Sequence, residues 1–477
     1  MLFNSIEYIF IFIPVVFIGY FLLNKIKLYQ TAKVFLIIAS LFFYGSYRTE
    51  YVGIIVLTIL LNYAISKIFT KNIPLPSKKL ILSSGIVANI LILYSFRYFN
   101  FLAEFLSNFS ICPLDTFKIV MPIGISFFML QQISYIVDCY KETIKSYSLV
   151  DYTLFVCFFP QLIMGPIVRH QEMIPQFNDM KNKVINQNNI FIGLFIFTVG
   201  LLKKVVISDA FSPFITYVTN SQMFDNFYMV WLLGITKILQ GYFDFSGYCD
   251  MAMGSAFLFN ISLPWNFNSP YKATSILDYW KRWNKTLMRF LSDYVYKPLG
   301  GDKLGAKRTY LNVMIMFFVY GCWQGLTITN IVYGLVNGIL VCINKFWETL
   351  KIRIPKPISI AMTFVTLIFL STLIMAENLQ TTFTLLKSML GINASFAPLQ
   401  VMGLDFIVNV KDFTALTVSI PILILALVCV LFLKNSCELS RIYVKANNAF
   451  LTCILAIVFV FSVLSITKST EFLYFIF

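Results

Sequence analysis

Apolar runs about as long as a bilayer is thick recur along almost the whole chain. Crossing the hydrocarbon takes about 20 apolar residues per helix, and the sequence supplies about ten to twelve candidates by that measure. Of 477 residues, 58% are hydrophobic and 12% charged, whereas a soluble domain carries roughly a quarter charged residues. These numbers predict an all-α polytopic membrane protein. Too little polar sequence remains for a separate soluble domain, so the function belongs within or just beside the bilayer.

The net charge of +15 comes from lysines and arginines spread through short loops that flank apolar spans. Positive-inside topology accounts for that pattern, which excludes nucleic acid as a partner and leaves the lipid bilayer as the surface met. Nine cysteines with no CxxC pair read as packing residues. A single histidine and no Cys/His cluster exclude a zinc site, so no metal ligand is assigned.

The first apolar run, residues 6–23, follows no basic segment and precedes no small-residue cleavage site, and reads as a retained span. Spans are then expected near 34–44, 51–68 and 80–96, the last followed by an aromatic segment, 97–109, too broken to count as a crossing. The run from Met121 to Asp138 is apolar yet carries Ser126, Gln131, Gln132 and Ser134. Such a helix should face other protein or a water-filled cavity, its polar groups serving as interhelical hydrogen bonds or as cavity lining. After a polar linker, 141–148, a span near 152–164 ends in Gly165-Pro-Ile-Val-Arg169. His170 stands in this breaker-rich segment with no acidic partner fixed by spacing, and reads as an interfacial loop residue. A span near 190–202 closes in Lys203-Lys204, a membrane-edge pattern, and one near 228–238 follows.

The next stretch, Gly241 to Gly325, is where polarity concentrates. Asp244 and Asp250 flank Gly247 in Tyr242-Phe-Asp-Phe-Ser-Gly-Tyr-Cys-Asp250, and near membrane depth they need partners, with Lys203, Lys204 or Arg282 as candidates. Pro264-Trp-Asn-Phe-Asn-Ser-Pro270 reads as an extended interfacial turn. Ser275 is the expected N-cap of a helix running to about Tyr294. Its apolar face carries Leu277, Trp280, Asn284, Leu287, Leu291 and Tyr294. Lys281, Arg282, Lys285 and Arg289 fall elsewhere, either meeting lipid head groups or binding an anionic ligand. The segment 297–303 is a turn. A span over 310–323 delivers Gln324 between Gly321 and Gly325, either for close packing through the glycines or as a polar site. Spans near 331–343, 358–375, 416–433 and 450–466 complete the chain, with a half-polar connection over 377–412 and a basic cytoplasmic loop over 434–445. No internal repeat of the kind that marks many transporters is present.

Six runs, Met121-Pro-Ile-Gly-Ile-Ser-Phe127, Gly165-Pro-Ile-Val-Arg169, Tyr242 to Asp250, Tyr279-Trp-Lys-Arg-Trp-Asn284, Asp293-Tyr-Val-Tyr-Lys-Pro-Leu-Gly-Gly301 and Trp323-Gln-Gly325, stand in an order that resembles the membrane-bound O-acyltransferase family. Within it, they point to the bacterial branch that acylates alginate, peptidoglycan and teichoic acid. The resemblance implies one membrane-embedded domain over 1–477, with N-terminal spans in 1–117, a motif-bearing core in 118–346 and C-terminal spans in 347–477. It implies a ring of transmembrane helices around a central tunnel, with re-entrant and amphipathic interfacial helices, in a bacterial cytoplasmic membrane. It also implies no permanently bound cofactor: acetyl-CoA or an acyl-carrier thioester is the cytoplasmic donor, and a polysaccharide hydroxyl or an extracytoplasmic partner transferase receives the acyl group. By the same resemblance Gln324 occupies the position of the family's catalytic histidine and Asn284 the second polar position. Asp244, Ser246, Tyr248, Asp250 and Trp323 would support the tunnel, and Lys281, Arg282, Lys285 and Arg289 would bind the donor.

An amide donates hydrogen bonds but takes no proton near neutral pH. Two readings follow. In one, Gln324 and Asn284 orient the reactants and stabilise charge while a carboxylate such as Asp250, or a partner's residue, takes the proton. In the other, the chain is a catalytically degenerate relative that binds or assembles. Conduction of a polymer or lipid-linked intermediate is a third class, opposed by the missing repeat.

Overall fold

The computed structural model describes residues 1–71, 74–108, 122–142, 146–376, 378–392, 394–396, 410–446 and 448–466. Met121, part of the linker 141–148 and much of the connection 377–412 lie outside the described residues. Helices form nearly all of what is described; one isolated parallel bridge pairs Asn226 with Ser395. Six helices are long and apolar enough to cross a membrane, or seven if one bent pair counts as a span, and two shorter apolar helices join them. The protein is therefore an all-α polytopic membrane protein. Fewer uninterrupted spans stand among the described residues than the apolar runs suggest, because several runs are broken by turns or carry polar side chains. The chain divides into two compact units, one of residues 1–194 with 252–264, the other of 195–251 with 265–477.

The first unit opens with α1 (Ile13–Lys25), α2 (Tyr29–Gly45), α3 (Glu50–Phe69) and α4 (Leu75–Asn108), then α5 (Ile125–Tyr140), α6 (Leu149–Cys157), α7 (Phe159–Leu162) and α8 (His170–Asn178). The aromatic segment after residue 97 does not break: α4 continues to Asn108. Lipid tails are as apolar as leucine, so polar groups and close packing hold such helices together. Gln132 of α5 does this directly. Its Nε2 donates to Thr58 Oγ1 at 3.0 Å, and its Oε1 accepts from Asn62 Nδ2 at 3.1 Å and from the Tyr152 hydroxyl at 3.2 Å. Asn62 and Asn89 exchange amide hydrogen bonds at 2.8 and 2.9 Å, tying α3 to α4. For Gln132, interhelical hydrogen bonding is the observed role.

His170 differs from its reading as a loop residue. It is fully buried at the start of α8, with Nε2 3.0 Å from Asp138 Oδ2 and Nδ1 3.3 Å from the Tyr147 hydroxyl. The acidic partner lies 32 residues earlier, on α5, so local spacing gave no sign of it.

The helix that begins as α9 (Gln187–Leu201), part of the second unit from residue 195 on, does not stop at the lysines. It passes through a π-helical segment, Leu202–Ser208, and a short 3-10 turn into α10 (Ser212–Asn220). Lys204 is buried there, and the membrane-edge reading of this pair is replaced by an internal one. α11 (Phe227–Leu258) is a single helix of 32 residues that absorbs both the expected span and the whole Tyr242–Asp250 run. The two elements touch backbone to backbone: a Cβ on Gly200 would lie 2.6 Å from the carbonyl oxygen of Gly247, and one on Gly247 would lie 2.8 Å from that of Gly200. Only glycine allows so close a crossing.

The helix expected from Ser275 to Tyr294 is two helices. Ser275 does cap α12, its hydroxyl accepting from the Asp278 amide, yet α12 ends after one turn (Ile276–Trp280). α13 (Lys285–Leu291) starts afresh after Asn284, which takes the left-handed conformation at φ 42°. Asparagine is among the few non-glycine residues that visit that region readily. α14 (Ala306–Gln324), α15 (Ile328–Thr349), α16 (Lys356–Met375) and α17 (Leu379–Met389) follow. Residues 434–445, read as a loop, instead form most of a helix, Ser436–Ala446, bent 77° from the span before it.

Candidate active site

The polar run on α11 turns its carboxylates toward the π-helical segment. Lys203 Nζ lies 2.6 Å from Asp250 Oδ2, which also accepts from Ser436 Oγ at 2.6 Å. Lys204 Nζ lies 2.8 Å from Asp244 and 2.9 Å from Asp209. Of the candidate cations, the two lysines are the partners; Arg282 pairs instead with Asp278, four residues before it, at 2.8 Å. Buried charges require such pairing. Ser246 and Tyr248 are buried in the same run.

The extended turn over 264–270 holds the α12–α13 break open. Asn266 Oδ1 accepts from the Thr286 amide and hydroxyl, its carbonyl accepts from the Lys285 amide at 2.9 Å, and the Asn268 amide donates to the Arg282 carbonyl at 3.0 Å. Asn284 sits between these clamps, fully buried, and neither polar atom of its side chain has a hydrogen-bond partner among the described residues. Its expected place on one continuous apolar stripe is overturned by the break. Because of that break, Lys281 and Arg282 lie on one side and Lys285 and Arg289 on the other, with Lys281 exposed.

α14 and α15 pack along one another through Gly321 and Gly334; a Cβ on Gly321 would stand 2.7 Å from the Asn330 carbonyl. This contact brings the end of α14 against the start of α15. Gln324 is the last residue of α14 and donates through Nε2 to the Tyr320 hydroxyl at 2.7 Å. Of the two alternatives posed, close packing through the glycine is observed, and the glutamine lines a cavity of about 160 Å³. Lys237, Gln240 and Gly241 of α11 line one side of it. Tyr271, Tyr279 and Trp283 form an aromatic wall, Asn330 and Tyr333 come from α15, and Leu367, Leu370, Ser371 and Ile374 come from α16. Tyr279 and Trp283 stack at 5.6 Å. Trp323 is buried behind Gln324 in the chain and is not among the lining residues.

The cavity therefore holds Gln324 but not Asn284, whose neighbour Trp283 lines it. It also holds residues that the sequence reading passed over, Lys237 and Gln240 foremost. Lys237, Gln240 and Gly241 are spaced i, i+3, i+4 and so share a helix face; that spacing was the available signal. Gln240 is 3% exposed, donates to Ser212 Oγ at 3.0 Å, and its Oε1 has no hydrogen-bond partner among the described residues.

The cavity, with its aromatic wall and amide side chains, lies in a chain whose helices include several long and apolar enough to cross a bilayer. Comparison with known proteins gives the family. The model of the membrane-bound O-acyltransferase family matches residues 10–355, and the chain belongs to that family: it is an O-acyltransferase and a multi-pass bacterial membrane protein. It is 36% identical to the peptidoglycan O-acetyltransferase of Helicobacter pylori, over all of this chain and 97% of that one. It is 32% identical to the probable alginate O-acetylase AlgI of Pseudomonas aeruginosa, over 82% of this chain and 75% of that one. Similarity to the teichoic acid D-alanyltransferase of Bacillus subtilis is 25% identity over 47% of this chain and 59% of the relative.

Proposed function

We propose that the chain moves an acetyl group from a thioester donor on the cytoplasmic side, acetyl-CoA or an acyl carrier, toward a hydroxyl of a cell-surface polysaccharide or onto a partner transferase outside the membrane. The supporting observation is Gln324, which stands at the family's histidine position and presents its amide to an aromatic cavity. The names of the relatives, peptidoglycan O-acetyltransferase and probable alginate O-acetylase, favour an acetyl group and a glycan acceptor.

In this reading the acceptor hydroxyl attacks the thioester carbonyl. The Gln324 amide, positioned by Tyr320, donates to the oxygen that gains negative charge, a role worth about 10²–10³ in rate for a single donor. Asn284, whose amide is held buried by the clamped break outside the cavity lining, is the second polar position and acts through the wall residue Trp283 beside it. The basic residues around the break, Lys281, Lys285 and Arg289, meet the anionic part of the donor, while Arg282 is engaged by Asp278. Asp244 and Asp250 act as structural anchors of the π-helical segment and not as proton acceptors, since lysines already hold both.

A degenerate, binding-only protein is the second reading, favoured by the absence of a proton acceptor at both family positions. O-acetyl content of surface polysaccharide in a deletion strain separates the two. Complementation by wild type and loss with Gln324→Ala is expected. No O-acetyl groups with wild type, but some with Gln324→His, would establish the degenerate reading.

A further inference from the structure

An amide at the histidine position leaves the hydroxyl proton without an acceptor, and the cavity contains one group able to take it. Lys237 lines the cavity together with Gln324. It is half-buried, and no hydrogen bond or ion pair reaches its amine among the described residues. That isolation contrasts with Lys203 and Lys204 in the same unit, both matched to aspartates within 3 Å. Those pairs occupy the two carboxylates that follow Lys237 on its own helix, so neither holds its charge. The titratable groups facing it across the cavity are the phenols of Tyr271, Tyr279 and Tyr333; the α16 side contributes only Leu367, Leu370, Ser371 and Ile374. No carboxylate and no second cation is among the lining residues.

Resting on the transferase reading above, we propose that Lys237 is the general base of the reaction, the uncharged Nζ accepting the proton of a hydroxyl that enters the cavity beside Gln324. Lysine is the basic side chain that takes on this role when solvent and counter-charge are withheld. The steps balance without a further reactant. The acceptor O–H bond breaks, its proton goes to Nζ, and the oxygen forms a bond to the thioester carbonyl carbon. As the tetrahedral intermediate collapses, the C–S bond breaks and the ammonium returns the proton to the departing thiolate. Ester and free thiol are the products, and the amine is restored.

A lysine that only lays its stem along apolar walls would be replaceable by arginine. A base would not, because a guanidinium stays charged. The test uses the full chain in the deletion strain, with wild type, Lys237→Met and Lys237→Arg compared at equal protein levels. Isolated membranes given acetyl-CoA supply thiol release as a second readout. Wild type should restore O-acetyl groups, and both variants should lower the rate by about 10²-fold or more. The wild-type rate should also rise with pH through a single ionisation below the ordinary lysine range, as a lysine base in this cavity requires. Lys237→Arg within about twofold of wild type overturns the inference, as does a flat wild-type profile below that range, which needs no variant to fold. Failure of wild type itself to restore O-acetyl groups removes the transferase reading and this one with it.

Discussion

Two sets of buried amides show what an unmet hydrogen bond signifies. Around Gln132 the donors and acceptors of three helices answer one another: Thr58, Asn62, Asn89 and Tyr152 all find partners. Around the α12–α13 break and the cavity, the Asn284 side-chain amide and Gln240 Oε1 do not among the described residues. A buried polar group left alone costs about 1–3 kcal/mol. The first set is explained by holding helices together. In the second that cost is not offset among the described residues, as it is not at the buried amide oxygens of Asn24, Gln131 and Gln161 either.

The sharpest way to break this contrast is Asn284→Gly. Glycine adopts the left-handed backbone without strain, so only the amide is removed. We expect acetyl transfer to fall about 10²-fold, equivalent to about 2.7 kcal/mol, with thermal stability held or raised. Retained activity in Asn284→Gly, with loss in Asn284→Ala, would make this residue a backbone device and erase the difference between the two sets. Gln132→Leu should do the reverse. It removes three interhelical hydrogen bonds, about 0.6 kcal/mol each on average in a membrane protein, so stability should drop by about 2 kcal/mol while the activity of the folded fraction is unchanged. A thermal unfolding series in detergent reads this directly.

Gly241 tests whether the cavity is used. A Cβ there would meet no atom within 4 Å, so Gly241→Leu fits sterically, improves helix propensity and occupies much of the 160 Å³ space. Transfer should fall about tenfold, or 1.4 kcal/mol, with no loss of stability; full activity would place the chemistry elsewhere. The smallest effect concerns Lys183 in the first unit, where burial, with Lys33 nearby, pushes its amine down from 10.5 to about 8. Between those values the unfolded chain binds more protons than the folded one, so stability rises with pH across the interval. Lys183→Met should flatten that rise in a pH series of melting temperatures.

Spans were legible wherever one apolar helix stands unbroken. The readings 51–68 and 358–375 lie within one or two residues of Glu50–Phe69 and Lys356–Met375. Reading failed where polar residues enter a helix because their partners are remote in sequence. Lys203 and Lys204, two of the three candidates named for Asp244 and Asp250, are their partners, but the choice between them and Arg282 needed the structure. The span read over 228–238 is part of one helix, α11, that runs on through both aspartates. Periodicity placed Asn284 on a stripe because it assumed one helix; the left-handed turn is enforced by Asn266 and Asn268, on a loop with no helical pattern of its own. Family motifs marked Gln324, but no motif marked Lys237, whose interest depends on which side chains surround it.

The lysine–aspartate pairs also have a bearing on how the protein is made. Lys203 precedes Asp250 by 47 residues, and Lys204 precedes Asp244 by 40 with Asp209 as its nearer partner, so a ribosome delivers Lys203 to the membrane before its counter-charge exists. A lysine at the centre of an inserting helix costs about 2.5–3.5 kcal/mol. Release of the first helix into lipid is therefore favoured only after the second has emerged, and the Gly200–Gly247 contact is where the two would first lock. Insertion of this part of the chain should proceed as a pair of helices, not one at a time.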